Sequence, residues 1–333
     1  MPRLPSPRGE VSDALLTELR MPVHALAGIA TPSPADALSD EDLQLALYLC
    51  YELHYRGLPG VSDDWEWEPS LLALRRQLEA RFETGLLDVL GAPEGEAAAE
   101  DMDVALRAVE EADETPSLSR YLERAGTHAE MLEFVVHRSA YQLKEADPHS
   151  WALPRLTGAP KAAMVEIQAD EYGGGNAERM HSALFAKSME RLGLDARYGA
   201  YLDRIPGVTL ATVNLMSLLG LHRRWRGALV GHLALFEMSS SVPNRRYGNG
   251  LRRLGCDRET TDFFDEHVTA DAVHEAIAAV DLAGGLVRQD PALSADVIWG
   301  ARALVELEGR FARRLLDAWG QGRSSLLERL VNA

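Results

Sequence analysis

Three side chains of types that bind metal ions recur at helical spacing toward the carboxyl-terminal end of the chain. They are His267, Asp271 and His274, in the sequence HVTADAVH. On a helix, which turns by about 100° per residue, offsets of four and seven residues place all three within an arc of roughly 60°. The spacing therefore predicts one helix face that binds a metal ion. The alternative is a solvated, acidic helix face.

A second candidate segment, DEYGGGNAERMH, spans residues 170–181. Glu171 and His181 lie ten residues apart, so on a regular helix their directions would differ by about 80°. The three glycines at 173–175 favour a kinked turn that could close this gap. Glu178 and His181 have the E-x-x-H spacing of helical diiron sites. We therefore predict that either Glu171 or Glu178 shares a metal ion with His181, and a solvated face is the alternative.

Glu237 stands out because its preceding neighbours at 233–236, LALF, are all apolar. A helix with this pattern would carry the carboxylate into the protein interior. An unpaired buried carboxylate costs several kcal/mol, so Glu237 needs a cation. A metal ion would serve, and a salt bridge to Arg245 or Arg246 is the alternative.

Together these segments supply three imidazoles and three carboxylates. Mixed nitrogen and oxygen ligands without thiolates suit iron or manganese, and six side chains can hold two ions while leaving positions open. A structural zinc site would need four closed ligands, usually including cysteine, so it fits less well. The predicted ligands are Glu171, His181, Glu237, His267, Asp271 and His274.

The elements that must position these residues are predicted to be helices throughout. Apolar residues recur at helical spacing, and no convincing alternating strand pattern or internal repeat is present, so the fold class is all-α. Acidic and proline-bearing stretches at 92–101 and 113–117 place a boundary between an N-terminal helical region, 1–125, and a main domain, 126–333. The helical patterns cover residues 41–55, 130–145, 161–192, 208–221, 227–239, 249–254, 259–287 and 294–319, with a further helix that starts at Pro69.

Charge and composition narrow the kind of partner. The chain carries 51 acidic and 34 basic residues, for a formal net charge of -17, which argues against a nucleic-acid or anionic-membrane partner. Its two cysteines, Cys50 and Cys256, form no C-x-x-C pair. No apolar run reaches the roughly 18 residues needed to span a bilayer, and no targeting signal opens the sequence. We expect a soluble, cytoplasmic protein with a small-molecule substrate.

Three segments resemble a known family, the haem-oxygenase-like diiron oxidases and oxygenases, which are iron-containing redox enzymes. They are DEYGGG with the following His181, FEMSSSVPNRRYGNGLRRLG at 236–255, and HVTADAVHE at 267–275. The resemblance runs from about residue 145 to 319. It implies a seven-helix bundle, here with an additional N-terminal helical region, and two irons held by the six ligands named above. It also implies Glu145 as a further ligand from the preceding helix.

The resemblance implies an O₂-dependent oxidase or oxygenase that acts on a small metabolite. The expected substrate is an amino acid or amine derivative, changed by N-oxygenation, desaturation or oxidative carbon–carbon cleavage. An aliphatic carboxylate undergoing oxidative decarboxylation is the alternative, and a non-catalytic iron-storage protein is the alternative of another class. Arg245 or Arg246 would bind a substrate carboxylate, or else cap a helix end. We expect a homodimer, with packing or dimer contact as the role of the N-terminal region, and room for an external electron donor.

Overall fold

The computed structural model describes residues 4–328 and Leu330, with residues 270–273 described by their backbone alone. Within those residues the chain forms thirteen α-helices and no β-strand, which confirms the all-α prediction. The helices are α1 (Glu10–Leu19), α2 (Glu41–Glu52), α3 (Pro69–Leu90), α4 (Met102–Glu111), α5 (Leu118–Arg124), α6 (His128–Gln142), α7 (Gly158–Glu171), α8 (His181–Arg191), α9 (Gly207–Leu221), α10 (Arg226–Arg253), α11 (Arg258–Ala276), α12 (Gly285–Gln289) and α13 (Ser294–Gly320).

Local sequence signals fix several helix starts. The Asp40 carboxylate accepts a hydrogen bond from the backbone N–H of Leu43 and so caps α2. Thr127 and Glu130 form a reciprocal capping box at the start of α6. Pro69 occupies the first turn of α3, where its missing N–H costs nothing.

Helix α10 is longer than the sequence predicts. We expected separate helices at 227–239 and 249–254, but a single helix runs from Arg226 to Arg253 with Pro243 inside it. Proline removes one intrahelical hydrogen bond, yet α10 packs along its length against α5, α11 and α13. Tertiary packing therefore outweighs the local cost of the proline. Glu237 therefore lies in the middle of one continuous helix and not near the end of a shorter one.

Two glycines set the closest approach between α10 and α13. A Cβ atom added at Gly231 would fall on the carbonyl oxygen of Val297, and one added at Gly300 would fall on the carbonyl oxygen of Ala228. The two backbones can lie this close because neither glycine has a side chain. The close packing holds α10, and thus Glu237, firmly against α13.

A π-helical segment follows α11. The chain continues without a break from α11 through the π-helix Ile277–Gly284 into α12, so the predicted continuous helix over 259–287 is confirmed. The π-helix packs against α7 and α10. Widened turns of this kind often accompany functional sites, and this one begins three residues after His274.

The apolar core extends across the predicted domain boundary. Buried residues Leu45 and Phe82 belong to the same core cluster as Val136, Leu218 and Trp299. The boundary near residue 125 stays a prediction. Among the helices described, none is both long and apolar enough to cross a membrane.

Candidate metal centre

Four buried side chains converge at the centre of the bundle. One ligand-type atom from each of Glu145, Glu171, His181 and His267 lies within 4.8 Å of the others. They come from the turn after α6, the end of α7, the start of α8 and the middle of α11. Two carboxylates and two imidazoles in this arrangement are a ligand set suited to iron or manganese.

A second buried group adjoins the first. Glu171, Glu237 and His274 also place ligand atoms within 4.8 Å of one another. Because Glu171 belongs to both groups, its two carboxylate oxygens can face two neighbouring positions. Asp271 lies on helical backbone three residues before His274, but its side chain is outside the described residues. The structure thus brings six of the seven predicted ligands together.

Glu145 is positioned by a strained turn. Ala146, the next residue, has a φ of 72°, which is rare for a residue other than glycine and often marks a functional site. The turn is held by Gln168 of α7, whose Nε2 donates to the Ala146 carbonyl oxygen at 2.9 Å and to Ser150 Oγ at 2.7 Å. As a result, Oε1 of Glu145 lies 3.5 Å from Nε2 of His267.

The N-terminal region contacts the same turn. Lys144, adjacent to Glu145, is buried, and its Nζ donates to Oε2 of Glu52 at 3.0 Å. The ammonium group also lies 4.3 Å from the ring centre of Tyr55. The end of α2 and the turn after it therefore anchor the residue next to a candidate ligand by a buried ion pair and a cation–π contact.

The glycine turn does bring Glu171 to His181. All three glycines at 173–175 have positive φ, and a Cβ atom at Gly173 would lie 2.6 Å from the backbone of Arg179 and Met180. The tight turn ends α7 at Glu171 and starts α8 at His181. Glu178, by contrast, is exposed. Of the two glutamates considered, only Glu171 faces His181.

The contact between Glu171 and His181 shows how well these side chains suit a metal ion. Oε2 of Glu171 lies 2.8 Å from Nδ1 of His181, yet the two atoms lack hydrogen-bond alignment. Oε2 of Glu145 is also buried without a hydrogen-bond partner among the described residues. Buried polar atoms are nearly always satisfied, so Nδ1 of His181 and Oε2 of Glu145 are suited to bind a cation. The donor set fits a metal ion.

Burial dominates the electrostatics of the site. It raises the pKa of the Glu145, Glu171 and Glu237 carboxyls, and, with help from His267, it lowers the pKa of His181 to about 4. These shifts oppose charge on every one of these groups in the absence of a cation. A divalent ion would reverse that balance by favouring carboxylate anions and neutral imidazole.

His274 behaves differently. Burial lowers its pKa, but the hydrogen bond and charge of Glu237, together with Glu171 and Asp170, outweigh burial and raise the pKa to about 9. Nδ1 of His274 lies 3.2 Å from Oε2 of Glu237, and Nε2 lies 3.0 Å from Oδ2 of Asp170. The sequence patterns did not indicate Asp170, and the one local signal for it is its place directly before Glu171.

A family comparison agrees with this site. A model described as iron-containing redox enzyme matches residues 132–309, more than half of the 333-residue chain. The chain belongs to this family of iron-containing redox enzymes. The matched residues include every candidate ligand. The family has the haem-oxygenase-like helical fold, so the resemblance seen in the sequence is confirmed.

The chain is also similar to a protein with an assigned activity. Over 230 residues, it is 26% identical to a nitrosourea synthase of Streptomyces achromogenes subsp. streptozoticus. The aligned part covers 67% of this chain and 49% of the relative. The chain thus spans about half the length of that protein.

A cavity of about 470 Å³ lies beside the ligands of the iron-containing redox enzyme. Phe236 and Ser240 line both this cavity and the small space between the ligands, so the two adjoin. Arg246 lines the cavity, with Nη1 at 3.4 Å from the hydroxyls of both Ser117 and Ser119. Arg245 is exposed and does not line the cavity.

The cavity wall carries both positively and negatively charged side chains. Arg138 forms a bidentate ion pair with Glu308 at 2.8 and 2.6 Å, and its guanidinium lies 4.5 Å from the centre of the Phe311 ring. Glu110 and Asp113 add two further carboxylates to the lining. The cavity can therefore face both the positive and the negative groups of a small polar molecule.

Proposed function

We propose that the protein is a non-haem diiron, O₂-dependent oxidase or oxygenase that acts on a small metabolite. The observation that carries the proposal is the shared position of Glu171 in two adjoining, buried groups of ligand-type atoms. One ion would be held by Glu145, His181 and His267, and the other by Glu237 and His274, with Glu171 between them. Asp271, which follows His267 by four residues, is proposed for the second ion on its helical spacing alone.

The protein's own residues would prepare the site for oxygen chemistry. Two ferrous ions, when bound, supply the electrons that activate O₂. The three buried glutamates offset the positive charge of the ions, and the low-polarity surroundings strengthen that interaction. Phe236 and Ser240 separate the ligands from the larger cavity, so a substrate there would approach the ions from the α10 side.

The substrate is proposed to be an amino acid or amine derivative. The name of the nitrosourea synthase indicates a product with an oxidised nitrogen, which supports N-oxygenation ahead of desaturation or carbon–carbon cleavage. The cavity wall supports the same choice, because Glu110 and Asp113 can attract an ammonium group while Arg246 can bind a carboxylate.

A second candidate is oxidative decarboxylation of an aliphatic carboxylate. The aromatic rings of Phe134, Phe185 and Phe263 in the cavity lining favour an apolar chain. Arg246 would bind the carboxylate in this reaction as well. The acidic residues of the wall have no role in it, which is why we place it second.

The test is anaerobic loading with Fe(II), followed by metal analysis and measurement of O₂ consumption. We expect two irons per chain and O₂ consumption that is accelerated by particular amino acids or amines rather than by fatty acids. Faster consumption with fatty acids alone would favour the second candidate. Uptake of many irons per chain without any substrate effect would indicate iron storage, and a chain that binds no iron would contradict the proposal.

A cytoplasmic location and a homodimeric state are proposed alongside this function. Both rest on sequence expectations, namely the two separated cysteines, which fit a reducing compartment, and a contact role for the N-terminal region. Light scattering on the purified protein would show whether its mass is that of one chain or two.

A further inference from the structure

The two histidines of α11 are oriented by different means. Nδ1 of His267 lies 2.8 Å from the carbonyl oxygen of Phe263, one turn earlier on the same helix. That oxygen can only accept a hydrogen bond, so Nδ1 carries the proton and Nε2 is left to face Glu145 and the site. The orientation of His267 is therefore built into the helix backbone.

The partners of His274 within the described part of the chain are side chains. Its Nε2 lies 3.0 Å from Oδ2 of Asp170, a residue of α7 that is 104 positions away in sequence. Its Nδ1 faces Glu237, which belongs with Glu171 and His274 to the second ligand group, whereas Asp170 does not belong to that group. The metal side of His274 is thus Nδ1, and Asp170 contacts the opposite side of the ring.

We propose that Asp170 is a positioning residue that holds the Nε2–H form of His274 and so directs Nδ1 toward the second metal ion. The inference rests on the proposed two-metal function. A carboxylate that accepts the outer N–H of a metal-binding imidazole fixes the tautomer and the ring orientation, and it makes the ligand more basic. Asp170 does this from the last turn of α7, where the next residue, Glu171, enters the site directly.

The position of Asp170 limits its effect to the second ion. Its side chain is 65% exposed, so water screens its charge and its influence must act through the hydrogen bond to His274. Among the described residues, Asp170 hydrogen-bonds His274, and no hydrogen bond joins it to Glu145, His181 or His267, the ligands that belong to the first group alone. Loss of the carboxylate should therefore weaken one metal site and leave the other intact.

The test is a titration of the metal-free protein with Co(II) under anaerobic conditions, with competition by a chromophoric chelator. Co(II) reports each site through its visible absorption and through the affinity of each binding step. The variants are D170A, D170N and, as a matched control, E166A, which removes an exposed carboxylate one turn earlier on α7. The wild-type chain is expected to bind two ions in two steps.

D170A should weaken the binding step of one ion by about 10- to 100-fold and change its absorption, with the step of the other ion unchanged. D170N retains an oxygen that can accept the Nε2–H bond, so it should recover most of the affinity, and E166A should match the wild type. The inference is wrong if D170A binds both ions as tightly as the wild type, or if both steps weaken equally. A wild-type chain that binds fewer than two ions would instead overturn the proposed function.

Discussion

Nδ1 of His181 lies 2.8 Å from Oε2 of Glu171, across a glycine turn that separates the two residues by ten positions in sequence. The same carboxylate belongs to the group formed with Glu237 and His274. A single side chain thus joins the ligands of α8 and α11 to those of α10. This connection is the observation on which we propose two metal ions rather than one.

The first prediction concerns the choice between Glu171 and Glu178. Glu171→Gln should reduce the iron content of anaerobically loaded protein from two ions per chain to one or none, because both groups lose a charged ligand. Glu178→Gln should keep both ions, since Glu178 is exposed in the same segment. Metal analysis after desalting provides the measurement. Iron loss from the Glu178 variant alone would show that the E-x-x-H pair is the ligand pair.

The second prediction distinguishes Arg246 from Arg245. If Arg246 binds the substrate carboxylate, Arg246→Gln should raise KM for a carboxylate substrate by about 10- to 100-fold, the effect of losing a charge-assisted hydrogen bond. Arg245→Gln should leave KM unchanged, because Arg245 is exposed outside the cavity. Steady-state O₂ consumption measures both. Equal effects of the two substitutions would indicate a general loss of surface charge instead.

Some ligands of this site could be predicted from the sequence alone, and others could not. Helical spacing was enough to place His267 and His274 on one face, because both lie on one element whose geometry is regular. The approach of Glu171 to His181 could be proposed from the glycines, although only the structure excludes Glu178 from the contact. Glu145 came from the family resemblance and not from any local pattern.

Other features depend on tertiary contacts that no local pattern encodes. Asp170 looks like an ordinary solvent-facing acid at a helix end, and its contact with His274 exists only because the last turn of α7 meets the last turn of α11 in the folded chain. The sequence predicted separate helices at 227–239 and 249–254, but packing against three helices maintains one helix through Pro243. The all-α class and the family were predictable because helical periodicity and the ligand motifs are themselves local.

The third prediction is a pH dependence of stability that does not involve the candidate ligands. Burial, with nearby Arg138 and Arg314, lowers the pKa of His137 to about 3, and its ring bonds Thr209 and Ser325. The unfolded chain would bind a proton at this histidine near pH 6.5, whereas the folded chain would not. Its contribution to stability is therefore complete above about pH 6.5 and is lost as the pH falls toward 3.

Urea unfolding of the wild type and His137→Gln near pH 7 and near pH 5.5 would measure this contribution. Between these two conditions the wild type should lose about 1 kcal/mol more unfolding free energy than the variant, which has no imidazole to protonate. Glutamine can still hydrogen-bond the two hydroxyls, so the variant should fold. An identical loss in both proteins would show that His137 is already protonated in the folded state or accessible to water.

The fourth prediction concerns the close crossing of α10 and α13. Gly231→Ala should destabilise the protein by about 3 kcal/mol or more, because the added Cβ would meet the Val297 carbonyl, a backbone group that cannot rotate away. Gly320→Ala is the matched control: it lies at the end of α13 with no atom within 4 Å of an added Cβ, so it should be neutral or stabilising by up to about 1 kcal/mol. Thermal unfolding of both variants provides the comparison. Because α10 carries Glu237, any Gly231→Ala protein that still folds should also bind the second ion more weakly. Unchanged stability together with unchanged metal content would mean that the two helices can move apart without disturbing the site.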